Sequence, residues 1–232
     1  MPVLWVTDHE LDQLRPLPEA LLMAMGAIGQ PSARSHLAQT LVRAKVAPQA
    51  EPWITNPAGM VPVLNLLRDS GLAREVNSGY WTLTPAALEP VCRRAQRKGQ
   101  LKALAAAGQA SYDSGKLLLD SLGRDLAAFR LAFLEGRPED WLPAQERLRQ
   151  SHRAALGQRD PLALICGQPF DPVWFETLPP AQQSHAAWAL LHDQVVRGQP
   201  GPAFHAWLEA RSAKLHPLGP MLEYLILEGR LD

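Results

Sequence analysis

Few side chains in this sequence occur at spacings that would support catalysis. Tyr112 and Lys116 have the spacing of a tyrosine and lysine pair found in some dehydrogenases, but no dinucleotide-binding unit precedes them to hold a cofactor. Ser114, Gly115 and Lys116 lack the upstream glycine and the following hydroxyl of a phosphate-binding loop. The sequence therefore predicts neither a dehydrogenase nor a nucleotide site.

Histidine and cysteine positions do not predict a metal site or a nucleophile. His185 and His192 are seven residues apart on one predicted helix without a third ligand at a useful spacing, so a polar helix face explains them better. Neither Cys92 nor Cys166 has a nearby histidine, and no serine sits on a strand-to-helix elbow. We expect no catalytic residue, no metal and no cofactor, which makes this chain a non-enzyme.

Composition favours a helical protein without a global charge. The 232 residues include 23 basic and 23 acidic side chains, so binding to nucleic acid or acidic lipid would need a local patch. No apolar stretch is long enough for a membrane helix, and no basic start precedes an apolar run. Two cysteines among apolar neighbours fit buried thiols in a reducing compartment, with a single disulfide as the alternative. We expect a cytoplasmic protein that has no membrane partner.

One segment concentrates positive charge. Five basic residues fall within ten positions without an acid between them, and on a helix they would form two adjacent rows that could contact phosphates. The alternative is a solvated helix face whose cations lie near the negative end of the helix dipole. The candidate nucleic-acid-binding residues are Arg93, Arg94, Arg97, Lys98 and Lys102.

The first hundred residues predict three helices, a hairpin and a further helix. The first helix extends from Leu17 to Ile28, and the second begins after an N-capping Ser32 and ends near Lys45. Asn56 and Pro57 predict the start of the third helix, and Gly71 its end. The polar turn at Asn77, Ser78 and Gly79 predicts a tight β-hairpin, and Thr84 with Pro85 predicts the next helix.

This order of elements is that of a winged-helix domain, and the segment Pro57 to Glu89 resembles the third helix and wing of that family. The resemblance implies a helix that could enter a DNA groove. However, Arg68 is the only basic residue of the predicted third helix, and Asp69 partly offsets it. That departure favours a winged helix used for protein contacts or domain packing over one that reads DNA.

Four glycines mark a repeat in the rest of the chain. They are spaced at 31 residues, with apolar residues two and three places before each and Arg or Gln directly after. A glycine ends a helix in the left-handed conformation, and the proline that follows three of the four opens the next helix. The predicted repeat turns are Gly136, Gly167, Gly198 and Gly229.

Aromatic and apolar side chains follow these turns, and the aromatic ones are predicted to fill the space between stacked helical hairpins. The group consists of Trp141, Leu142, Val173, Trp174, Phe175, Phe204 and Trp207. The repeat length resembles the tetratricopeptide class, although Asp160 and Pro161 shorten the second unit, so we expect an irregular array. Gly108 would mark a degenerate earlier unit.

The predicted architecture is mainly α, with a winged-helix domain and small β-hairpin over residues 1–98, a linker or helix over 99–116, and helical-hairpin repeats over 117–232. The last repeat ends directly after its glycine turn, which suggests a piece of a longer protein or, alternatively, an exposed docking end.

Such a combination resembles the N-terminal regions of bacterial helicase-like SWI/SNF-type ATPases and the regulatory halves of STAND-type regulators. The first resemblance implies a scaffold that docks partners or guides duplex DNA, weakly and without sequence preference, to a motor elsewhere. The second implies a regulatory scaffold that binds proteins without contacting DNA. The expected partners are therefore a protein or the remaining domains of a parent chain.

Overall fold

The computed structural model describes residues 6–46, 57–112, 121–157, 159–197 and 201–211. Within these ranges the chain is mainly helical, with one small antiparallel sheet, which confirms the predicted fold class. It forms two compact units that divide between Ala144 and Gln145. No described helix has the length and apolar character needed to cross a membrane.

The first unit carries the sheet. Its elements are α1 (Asp8–Asp12), α2 (Pro16–Ile28), β1 (Ser32–Ala33), α3 (Arg34–Ala44), a 3-10 helix (Pro57–Met60), α4 (Val61–Asp69), β2 (Ala73–Glu75), β3 (Tyr80–Leu83), α5 (Pro85–Arg97), α6 (Leu101–Tyr112) and α7 (Ser121–Leu134). Helix α8 (Pro138–Ser151) begins in this unit and ends in the second, which continues with α9 (Pro161–Gly167), α10 (Pro172–Phe175), α11 (Pro180–Arg197) and α12 (Pro202–Arg211).

Helix α2 is the centre of the first unit. Almost every residue from Leu17 to Ile28 is buried, and the helix packs against α3, α5 and α6. Gly29 ends it with a left-handed φ of 68°, as its position after the apolar run predicts. Helix α1, by contrast, is an addition to the predicted elements, and it begins at a capping box formed by Thr7 and Glu10.

The sheet has three strands in the order β1, β3, β2, all antiparallel. The predicted role of Ser32 as an N-cap is wrong, because Ser32 lies in β1 opposite Trp81 and its hydroxyl donates to the Gln30 carbonyl at 3.1 Å. Helix α3 starts after Ala33 without a side-chain cap. A strand of two residues is too short for a recognisable alternating pattern, so the pairing with β3 decides it.

The predicted hairpin is confirmed. Asn77 and Gly79 both have positive φ angles, of 56° and 87°, which lets the chain reverse between β2 and β3. The Glu75 carboxylate accepts the Gly79 amide at 2.7 Å and closes the turn. Thr84 ends the hairpin as the N-cap residue of α5, and its hydroxyl donates to the Gly71 carbonyl at 2.9 Å.

Helix α6 belongs to the core of the first unit, although the sequence predicts a linker or helix over 99–116. It packs against α2 and α3, and the His36 Nε2 atom lies 3.0 Å from the Gly108 carbonyl oxygen. A Cβ at Gly108 would lie 2.8 Å from Cγ1 of Ile28, so this glycine permits a close approach of helices instead of marking a repeat turn. The described contacts thus extend the first unit beyond residue 98.

A buried ion pair joins α7 to α5. The Arg130 guanidinium donates to both carboxylate oxygens of Glu89 at 2.8 to 3.0 Å, and both side chains are at most 8% exposed. Burial lowers the pKa of Arg130, but the Glu89 carboxylate raises it by more, so the guanidinium stays charged. Cys92 lies buried in the same region, and burial raises the pKa of its thiol to about 12.

The predicted aromatic core is confirmed in large part. Trp141, Trp174, Phe175, Phe204 and Trp207 are all at most 4% exposed. In the first unit, Trp141 packs edge-on against Phe133, and in the second, the Phe175 and Trp207 rings meet at 4.9 Å between centroids. The two aliphatic residues next to these aromatics, Leu142 and Val173, are exposed by 41% and 76%.

Only one of the described repeat glycines turns as predicted. Gly136 follows α7 with a φ of 67°, and its amide donates to the Phe133 carbonyl. Gly167 is the last residue of α9 and has no left-handed φ; a Cβ there would lie 2.7 Å from Cδ2 of Leu190 on α11. The two glycines have similar neighbours in the sequence, but glycine is required at each position for a different structural reason. Gly198 and Gly229 lie outside the described residues.

Removing one charge of the buried ion pair should destabilise the protein strongly. Arg130→Met leaves the Glu89 carboxylate buried without its cation, and we expect the free energy of unfolding to fall by about 3–5 kcal/mol. Urea denaturation followed by circular dichroism measures this. The double variant Glu89→Leu with Arg130→Met removes both charges and should recover most of the loss; a double variant as unstable as the single one contradicts this account.

The two glycines should respond differently to substitution. Gly136→Ala imposes a left-handed conformation on alanine and should cost about 1–2 kcal/mol, whereas Gly136→Asn should cost less because asparagine tolerates that conformation. Gly167→Ala should destabilise through Leu190, so a thermodynamic cycle with Leu190→Ala should show a coupling above about 0.5 kcal/mol. Additive losses at Gly167 and Leu190 would show that close packing is not the reason for this glycine.

Candidate binding groove

The five candidate phosphate-binding residues do not form one exposed basic surface. Arg93 is only 2% exposed, so its guanidinium lies inside the first unit. Arg94 donates to Asp12 at 2.6 Å and also to Glu19, and the Lys98 ammonium lies 2.6 Å from Glu19. The remaining two, Arg97 on α5 and Lys102 on α6, are exposed.

These ion pairs connect α5 to α1 and α2. Burial raises the pKa of the Glu19 carboxyl, but the hydrogen bonds from Lys98 and Arg94 outweigh it and hold that pKa below its usual value. Arg94 is likewise held charged by Asp12 and Glu19, against the effect of its burial. Since these acids come from helices distant in sequence, a charge count over α5 alone misses them.

Helix α4, the predicted recognition helix, offers little to DNA. Its exposed side chains include the apolar Leu66, which is 55% exposed, and the Arg68 guanidinium is paired with Asp69 at 3.1 Å. Asn65 is half-buried, and Asn56 lies outside the described residues. A surface of this kind lacks the positive charge and hydrogen-bonding groups that base edges and phosphates require.

The second unit contains an open groove of about 860 Å³ between the end of α8 and α11. We call it the Trp188 groove. One wall is provided by α11 and the other by residues of α8 and of the segment that follows it, with Leu156 and Ala189 also in the lining. The polar and aromatic residues that line it are Glu146, Arg149, Gln150, Arg153, Arg159, Asp160, Trp188 and His192.

The α11 wall is apolar and aromatic. Trp188, His192 and Val196 are four residues apart and therefore lie along one face of the helix. Trp188 is 37% exposed and Val196 is 56% exposed, and the Trp188 and His192 ring centroids are 6.5 Å apart. Exposed tryptophan and valine side chains on the groove-lining face of one helix favour a binding role over a core role.

The opposite wall is organised by one buried carboxylate. Asp160 accepts the Leu162 amide at 2.8 Å and thereby caps α9, and it also accepts the Gln145 side-chain amide at 2.9 Å. The Arg149 guanidinium donates to its other oxygen, which holds this arginine at the groove. The negative charge of Asp160 is thus compensated by groups of the protein itself.

Two further arginines add to this wall. The Arg159 guanidinium lies 3.2 Å from the carboxylate of Asp193, which is itself buried on α11. Arg153 is exposed and forms no ion pair with any described residue. The groove therefore combines an aromatic and apolar wall with the exposed guanidinium of Arg153, whereas Arg149 and Arg159 are already paired with Asp160 and Asp193. An exposed arginine near apolar side chains suits a ligand that has both a carboxylate and apolar groups.

The chemically reactive side chains of the described residues lie apart from one another. The described residues include no group of three or more histidine, cysteine or acidic side chains placed to hold a metal ion. His185 and His192 are both exposed on α11, as a polar helix face predicts, and His185 Nδ1 lies 2.9 Å from the Ala181 carbonyl oxygen. Cys92 and Cys166 are buried free thiols. Lys116, of the tyrosine and lysine pair, lies outside the described residues.

Comparisons of the chain with protein-family models, with curated proteins and with solved structures found no match. The residues of the chain itself must therefore carry any functional argument.

Sequence reasoning did not find the Trp188 groove. A signal was present, because Trp188 and Val196 interrupt the polar side of α11 at a spacing of eight residues, whereas the other apolar positions of that helix predict its buried side. The arginine wall could not be found in this way. It depends on Asp160, which precedes α9, and on Asp193 of α11, and these acids pair with Arg149 and Arg159 through the tertiary fold.

Proposed function

We propose that this chain is a non-catalytic interaction scaffold whose second unit binds an acidic, amphipathic segment of a partner protein in the Trp188 groove. The observation that carries the proposal is a groove of about 860 Å³ that is lined by an exposed tryptophan of α11 and by Arg153, which is exposed and forms no ion pair with any described residue. Tryptophan and arginine are the residues most enriched among those that dominate binding energy at protein interfaces.

The expected partner chemistry follows from the two walls. A carboxylate of the partner would pair with Arg153, whose guanidinium group matches a carboxylate geometrically. Apolar side chains of the partner would cover Trp188 and Val196, as an amphipathic helix does when it lies in a hydrophobic groove.

The first unit would serve as an adapter. Its helix order, three-stranded sheet and hairpin are compatible with a winged-helix domain. The pairing of Arg68 with Asp69 and the exposure of Leu66 on α4 favour a winged helix that packs or contacts proteins over one that reads DNA. This corresponds to the regulatory-scaffold interpretation that the STAND-type resemblance implies.

A peptide selection tests the groove. Phage-displayed random peptides selected on the full chain, after depletion on a Trp188→Ala variant, should become enriched in acidic residues combined with Leu, Ile or Phe. Fluorescence anisotropy of a selected peptide should show that Trp188→Ala weakens binding by about 2 kcal/mol, or roughly 30-fold. Arg153→Gln should weaken binding by less than Trp188→Ala does, and the loss caused by Arg153→Gln should be larger at low salt than at high salt.

Two matched controls exist in this part of the chain. Val173→Ala removes an exposed apolar side chain outside the groove, and Arg147→Gln removes an exposed arginine of α8 that does not line it. Neither should change the affinity. Enrichment of basic peptides, equal affinity for Trp188→Ala, or preferential binding of a single-stranded oligothymidine through Trp188 would each overturn the proposal.

A second candidate function is weak, sequence-independent binding of duplex DNA, which would agree with the helicase-like ATPase interpretation of a parent protein. It rests on the exposure of Arg97 and Lys102 and the partial exposure of Lys98, which is 40% exposed. Arg93 cannot be used to test it, because replacing a buried arginine disturbs the core.

For duplex binding the informative variant is Arg97→Gln with Lys102→Gln, since both side chains are exposed and Lys98 is held by Glu19. Removing two phosphate contacts should flatten the dependence of log affinity on log salt by about two, since each contact contributes a slope of roughly −0.9. Anisotropy of a labelled duplex at several salt concentrations measures this slope. The double variant Arg15→Gln with Arg147→Gln, which removes two other exposed cations, should leave the slope unchanged; a common effect of both doubles would eliminate this surface.

A further inference from the structure

The first unit has a cavity of its own, with a volume of about 410 Å³. It lies at the end of α2, between α6 and α7, and Arg137 after α7 also contributes to its lining. Cavities of about 300–1,000 Å³ are typical of small-molecule sites. We call it the α6–α7 cavity.

Small apolar side chains form much of its surface. Ala105 and Ala106 come from α6, Ala127 and Ala128 from α7, and Ile28 from the last turn of α2. Because alanine side chains fill little space, the three helix backbones line an apolar recess in which a flat organic group could pack.

Positive charge exceeds negative charge at this cavity. Lys102 and Arg124 both line it, and neither forms an ion pair with any residue that the structure describes. Arg137 is paired with Glu135 at 2.8 Å and also with Asp140. Lys102 and Arg124 are therefore available to compensate the charge of an anion.

One polar atom at the cavity lacks a partner within the described part of the chain. Glu135 accepts from the Arg137 Nε atom through one oxygen, while its buried Oε1 atom has no hydrogen-bond partner. A buried polar atom left without a partner is costly, so this oxygen indicates that a polar group completes the site.

We propose that the α6–α7 cavity is a binding site for a small organic anion: a carboxylate or phosphate ester that has a flat apolar body and a hydrogen-bond donor. Lys102 and Arg124 hold the anionic group, and the apolar body packs on the alanines of α6 and α7. Glu135 Oε1 accepts a hydrogen bond from the donor of the ligand. The site is separate from the proposed peptide groove, and neither proposal depends on the other.

An anionic dye with an aromatic body, 8-anilinonaphthalene-1-sulfonate, is a suitable probe because its fluorescence rises in an apolar site. Titrated into the full chain, it should bind saturably with one dominant site. Lys102→Gln with Arg124→Gln should weaken binding at least about tenfold, as expected for the loss of two charge-assisted contacts. Both side chains are exposed, so circular dichroism should show an unchanged fold.

The matched control is Arg15→Gln with Arg74→Gln, which removes two exposed cations of the same unit that do not line the cavity. It should bind the dye as the native chain does. Competition then identifies the ligand class: phenyl phosphate or benzoate should displace the dye, whereas neutral benzamide at equal concentration should not.

A third variant, Ala128→Trp, fills the cavity from an exposed position and should abolish saturable binding without altering the circular dichroism spectrum. The proposal is overturned if the Lys102 and Arg124 double variant binds the dye as well as its control does. Equal displacement by benzamide, or undiminished binding by Ala128→Trp, would overturn it as well.

Discussion

The absence of a polar face on helix α2 is the constraint on which the first unit depends. Its side chains are buried around almost the whole circumference from Leu17 to Ile28, so other elements have to enclose it. Helices α3, α5 and α6 and strand β3 do this. The enclosure is close, since a Cβ at Gly26 would lie 3.1 Å from the Cys92 sulfur. The surfaces of this unit that remain accessible to a ligand are therefore mainly the outer faces of the helices that surround α2.

Buried and paired charges then determine which cations remain accessible. The sequence of α5 has several basic residues without an intervening acid, yet the fold buries Arg93 and brings Asp12 and Glu19 to Arg94. A row of cations that looks like a phosphate site therefore serves largely to hold α1 and α2 against α5. Lys102, by contrast, lines a cavity of the first unit that no pattern in the sequence indicated.

In the second unit, one carboxylate has a comparable organising role. Asp160 caps the N-terminus of α9 and binds Arg149. A single buried acid therefore both starts a helix and positions a side chain in the wall of the Trp188 groove. The groove requires a second wall with exposed apolar side chains, which α11 provides through Trp188 and Val196. In the binding mode that we propose, such an arrangement would hold a ligand by contact and charge.

The sequence by itself determined the helical character of the chain, the hairpin and several helix ends of the first hundred residues, because these depend on preferences that act within a few residues. The stop at Gly29 is an example, since a left-handed residue ends a helix whatever surrounds it. Only the tertiary structure decided that Ser32 joins a strand opposite Trp81. It also decided that Gly167 leaves room for the Leu190 side chain and does not adopt the left-handed conformation of a turn. Pairing across a sheet and close approach between helices involve residues far apart in sequence, so no local pattern encodes them. The same reason explains why the groove and the cavity emerged only from the packed helices.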